Sequence, residues 1–118
     1  MKYMMLIYME DDALNEAERE HCYVESTELA YQLKSNGQYL GSSPLQPTST
    51  ATSVRVRDGK RLVTDGPFAE TREHLGGYFM VEAGNLDEAI GIAGRIPGAR
   101  VGTVEIRPVI ELPNLPAE

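Results

Sequence analysis

The chain has 118 residues, 42% of them hydrophobic, which suits one domain able to bury a core unaided. Its single cysteine, Cys22, excludes an intrachain disulfide and a four-cysteine zinc site. A formal net charge of −7 repels a phosphate backbone and argues against a nucleic-acid partner.

Lys2 to Met9 is predicted to be the first strand. Tyr3, Met5, Ile7 and Met9 point one way and Met4, Leu6 and Tyr8 the other, so both faces are apolar. A strand with one wet face alternates apolar with polar residues, so this one needs cover on each side. The run is too short to span a membrane, and Glu10, Asp11 and Asp12 follow it with no small-residue cleavage site. The expectation is a cytoplasmic protein without a membrane partner.

A helix is expected from about Asn15 to Ser35, with Cys22, Ser26, Leu29, Ala30 and Leu33 on one stripe and a stop at Asn36-Gly37. Gln38 to Gly41 reads as a short strand, followed by an irregular, hydroxyl-rich loop over 42–53. Ser53 to Thr64 reads as a β-hairpin around Asp58-Gly59, a pair suited to a type I′ turn. Asp65 to Gly77 is irregular, and Gly77 to Ala83 is a strand. Asn85 and Glu88 resemble a capping box that opens a helix over 86–96. Its expected buried stripe is Leu86, Ala89, Ile90, Ala93 and Ile96, with Gly91 and Gly94 allowing close packing on the sheet. The last strand is expected from Val101 to Val109, and the proline-bearing tail is a candidate arm.

Without the hairpin the order is βαββαβ, the ferredoxin-like α+β arrangement in a single domain over residues 1–118. Both helices then cover one face of the sheet. The doubly apolar first strand therefore predicts a homodimer in which two sheets pack face to face. The alternative is a monomer whose loop 42–52 folds over the sheet. Along the last strand Thr103, Glu105 and Arg107 share a face, and Tyr78, Met80 and Glu82 share one on its neighbour. Tyr8, Tyr78, Glu82, Glu105 and Arg107 are thus expected around one polar cavity between the subunit sheets. There they form either an inter-subunit ion-pair network or a pocket in which Arg107 holds a small organic acid. On the second reading Arg107→Ala abolishes acid binding and leaves the dimer intact.

The stretch TDGPFAETREHLGGYF (Thr64 to Phe79), with MKYMMLIY, GQYLGSSPLQP, LDEAIGIAGRIPGAR and VEIRPV, resembles the DGPF branch of the YCII-related family over nearly the whole chain. The resemblance implies a dimeric α+β barrel of ferredoxin-like subunits with no assigned cofactor. Such proteins are often encoded near extracytoplasmic-function sigma factors, and related proteins include lyase-type enzymes. It therefore implies three alternatives: a small-molecule-binding dimer, a cofactor-independent acid/base lyase, and an interaction module tied to sigma-factor regulation. Many members carry a His–Asp pair, whose helix histidine falls near Ser26 here, so this chain does not reproduce that pair.

Asp65 reads either as an Asx turn former or as a general base at a pocket mouth. Phe68 reads as a core plug, Arg72 as a surface ion-pair partner of Glu70 or Glu73, and His21 as a solvated residue one turn from Glu25. His74 is a candidate for titration near neutral pH, and either His74 or Arg107 is the expected partner of Asp65 in acid/base work. The two histidines are isolated, so no metal site is expected.

Overall fold

The structure, a computed structural model, describes residues 1–116. In chain order the elements are β1 (Lys2–Met9), α1 (Glu16–Ser35), β2 (Tyr39–Pro44), β3 (Thr52–Arg57), β4 (Lys60–Asp65), β5 (His74–Glu82), α2 (Leu86–Ala93) and β6 (Thr103–Pro108). Strands β2, β5, β1 and β6 lie side by side in that order, all antiparallel, while β3 and β4 form a separate two-stranded ribbon. This is the ferredoxin-like α+β fold with an inserted hairpin.

Local chemistry fixes the element ends. The Asn15 side chain accepts the Glu18 N–H at 2.8 Å, and the Glu18 carboxylate accepts the Asn15 N–H at 3.0 Å, closing a capping box on α1. Asn85 accepts the Glu88 N–H at 2.9 Å at the start of α2. The hairpin turn has φ of 52° at Asp58 and 74° at Gly59, as a type I′ turn requires.

The core lies between the helices and one face of the sheet. Tyr3 and Met5 from β1, and Phe79, Val81 and Ala83 from β5 and its end, meet Leu29 and Leu33 of α1 and Ala89, Ile92, Ala93 and Ile96 from α2 and beyond. Full burial of each large apolar side chain contributes about 1.5–3 kcal/mol, so this layer holds the domain together. The opposite face carries Met4, Leu6, Tyr78 and Met80, all half-buried. In register, Leu6 stands between Tyr78 and Glu105, and Met4 between Met80 and Arg107.

Several expectations are corrected. Helix α2 ends at Ala93, and its buried stripe turns on Ile92, while Leu86 and Ile90 are exposed. A run of β-branched and leucine residues on three sides of a short helix leaves the inward side ambiguous from sequence. Gly91 lies in open space, so close packing on the sheet is not its use. The close approach falls instead at Gly102, where a Cβ would overlap the Tyr8 carbonyl. Phe68 is 70% exposed and is no core plug; the Arg55 guanidinium stacks on its ring at 4.4 Å from the centroid. Strand β2 continues through Ser42 and Ser43 because both pair with β5, and β5 itself begins at His74. Arg72 reaches Glu10 at 2.6 Å, not Glu70 or Glu73. His21 is exposed as expected and sits 3.1 Å from Glu25.

The hairpin stands apart from the core. Val54, Val56 and Val63 are each more than half exposed, and no helix or other strand packs extensively on them. The radius of gyration is 16.0 Å, against roughly 13–14 Å for a compact domain of this length. The tail beyond β6 is also exposed at Ile110, Leu112 and Leu115.

Candidate functional site

A cavity of about 710 Å³ opens on the helix side of the sheet, along α1 from Arg19 to Lys34. Its size lies within the usual range for small-molecule sites. Ile7 and Met9 from the end of β1, Phe79 of β5 and Ile96 form its floor, and Leu45 and Pro47 its side. The residues of α1 that are fully buried against the core lie in its second half. Leu29 and Leu33 are buried, while Cys22 and Ser26 on the same stripe remain partly accessible. Tyr39 Oη and Ser42 Oγ, also on the wall, lie 2.8 Å apart and share a hydrogen bond.

Burial pushes the Cys22 thiol above its ordinary value, helped by the Glu25 carboxylate and partly opposed by Arg100. The thiol is therefore protonated at neutral pH and is a poor nucleophile.

A second, more open groove of about 950 Å³ lies on the other side of segment 45–48, near the base of the hairpin. Tyr8, Thr103 and Glu105 of the open sheet face and Glu73 border it. His74 borders both spaces. Its Nε2 stands 4.0 Å from Asp11 Oδ2, and its side chain is 20% exposed. Asp11 Oδ2 also accepts the Thr48 hydroxyl at 2.7 Å, which ties segment 45–48 to the end of β1.

The residues singled out from the sequence thus divide among several places. Ser26 and His74 line the helix-side cavity, and Tyr78 borders it, although the alternation of β5 turns its side chain to the open face. Tyr8, Glu105 and His74 line the groove. Glu82 accepts the Met1 ammonium at 2.8 Å, and Arg107 is exposed on the edge strand. Neither of these two residues lines either space.

Asp65 ends β4 opposite Thr52, exposed, and also lines neither space. It forms no Asx turn: among the described residues its carboxylate accepts no hydrogen bond. The turn is closed instead by the Gly66 N–H on the Ala51 carbonyl at 2.8 Å and the Ser53 hydroxyl on the Gly66 carbonyl at 2.7 Å.

Two residues on the cavity wall went unread in the sequence. Asp11 looked like punctuation after an apolar run. Arg19 lies three residues before Cys22 and seven before Ser26, within the inward stripe, and that spacing was the signal for it. Among the described residues no group of three or more His, Cys, Asp or Glu side chains is placed to hold a metal ion. No described helix is long and apolar enough to cross a membrane.

Fold and cavity together define a ferredoxin-like α+β protein with an open cleft between its first helix and its sheet. The sequence model of the YCII-related domain family matches residues 1–113, and the chain belongs to that family. An uncharacterised protein of Rhizobium meliloti is 40% identical over 67 residues, which span 55% of this chain and 54% of that protein. The chain thus matches about half the length of this relative.

Proposed function

We propose that the protein is a small-molecule-binding homodimer whose ligand occupies the helix-side cavity. The cavity itself carries this reading: about 710 Å³, largely apolar, with Ser26 on its wall and His74 and Asp11 at one end. An apolar space with a few convergent polar groups is the usual form of a ligand site. The dimer part rests on the open sheet face, where Met4, Leu6, Tyr78 and Met80 lie between the charged residues Lys2, Glu82, Glu105 and Arg107. On this reading those charges belong to the contact between copies, and the ligand lies behind the sheet, not between the two sheets.

The test is binding of Nile red, a neutral apolar dye, to the purified protein and to Ser26→Trp, whose indole would fill the cavity. One dye per chain bound by the native protein, and none by the variant, is the expected result. Equal binding by both, or none by either, would overturn the assignment.

A second reading, an acid/base enzyme, is favoured by the His74–Asp11 pair. Asp11 then takes the partner role that the sequence suggested for Asp65, with His74 as the proton-moving group.

A further inference from the structure

We infer that the helix-side cavity takes an amphipathic carboxylic acid, with its apolar body beneath α1 and its carboxylate on the guanidinium of Arg19. This rests on the cavity being a ligand site and names the class of ligand.

Arg19 is half-buried in the first turns of α1 and lines the cavity. Among the described residues its only protein acceptor is the Leu14 carbonyl at 3.4 Å, long for an N–H···O bond. A guanidinium presents five donors in a planar fork, so most of this one is unused. The two acids on this wall each take a donor other than Arg19 on one oxygen. Glu10 accepts from Arg72 at 2.6 Å, and Asp11 accepts from Thr48 at 2.7 Å beside His74. Among the described residues neither acid takes a hydrogen bond from Arg19, so its guanidinium keeps most of its donors for a ligand. The next cation on the wall, Lys34, sits fifteen residues on, about 22 Å further along the helix axis.

Part of the wall is of the opposite character. Ile7, Met9, Leu14, Phe79 and Ile96 offer no charge and would shelter an alkyl chain or a ring. A carboxylate meets the guanidinium fork with two parallel hydrogen bonds, each stronger than a neutral one. An alcohol of the same length gains only one neutral bond there, and an amine is repelled. Burial of the apolar tail supplies affinity in all three, so the head group alone decides among them.

The experiment compares decanoate, decanol and decylamine by isothermal calorimetry at neutral pH, on the native protein and on Arg19→Gln. Arg100→Gln serves as a control at a cation already paired with Glu25 at 2.7 Å, and circular dichroism checks that the variants are folded. Expected is decanoate binding at least tenfold tighter than decanol and decylamine weakest of all. Arg19→Gln should erase the preference for decanoate while decanol still binds, and Arg100→Gln should change nothing. If decanol or decylamine binds the native protein as well as decanoate, or Arg19→Gln keeps the preference, the carboxylate assignment is wrong while the cavity reading stands. If none of the three binds and Nile red is also excluded, both fail together.

Discussion

Thr48 donates its hydroxyl to Asp11 Oδ2 at 2.7 Å, and this one contact joins the end of β1 to the segment that separates the two open spaces of the molecule. His74 stands at the same oxygen, 4.0 Å away. One carboxylate oxygen therefore faces both Thr48, which it binds, and His74. The same junction sits where β1 changes register against β5, between Ile7 and Tyr8.

Removing that carboxylate should loosen the mouth without unfolding the domain. Asp11→Ala loses an exposed side-chain hydrogen bond, worth about 1 kcal/mol. Urea unfolding should show a loss of that order, and amide exchange over 45–48 should quicken more than exchange in the core at Met5 or Val81. Unchanged protection over 45–48 would show that the segment is held by other contacts.

The open sheet face gives a test of assembly. Leu6→Asp places a charge between Tyr78 and Glu105, in the middle of that face. Light scattering should report a dimer for the native protein and a monomer for the variant, because a contact between copies would have to bury the new carboxylate unpaired. Arg107→Ala separates the two ligand placements. With the carboxylate on Arg19, this substitution weakens the dimer and leaves decanoate binding intact. Loss of acid binding with the dimer preserved would return the ligand to the space between the sheets.

The hairpin should behave as a nearly independent unit. Gly59 has a φ of 74°, and an alanine forced into that backbone costs roughly 1–2 kcal/mol. No helix packs extensively on the hairpin. Gly59→Ala should therefore speed amide exchange across 53–64 while the thermal midpoint of the domain stays where it was. A large fall in that midpoint would mean that the ribbon is coupled to the core.

Cys22 reports on the cavity from inside. Its thiol is pushed up by burial and by Glu25, so alkylation by iodoacetamide should be slow at neutral pH and rise only in the alkaline range above the ordinary thiol value. The sign for stability follows. A folded-state value raised above the unfolded one favours the native state while the thiol is protonated, and that contribution disappears as the pH climbs through the raised value. A ligand seated beneath α1 should slow alkylation further. Fast modification at neutral pH would contradict a sheltered thiol.

Much of the architecture was legible along the chain. The Asn85 cap, the Asp58-Gly59 turn and the doubly apolar first strand are local signals, and each appears in the structure where the spacing placed it. Less legible was what each side chain touches. Phe68 looked like a core residue because phenylalanine usually is one, yet it sits in the open against Arg55. Asp65 looked like a site residue because of its neighbours, and lies away from both spaces. Arg19 was available on the inward stripe, but an arginine there reads as a solvated side chain until the helix is seen to stand off the sheet.

The sequence by itself determined the elements and their order, since capping, turn geometry and alternation act over a few residues. It also determined which face of β1 and β5 goes under the helices, through Tyr3, Met5, Phe79 and Val81. Only the tertiary structure decided where the space lies. The gap beneath Cys22 and Ser26 is the distance left between α1 and the sheet once Leu29 and Leu33 are seated, and Asp11, Thr48 and His74 meet at its mouth from three separate parts of the chain. Those separations depend on the packing of distant elements against one another, a quantity that no local pattern encodes.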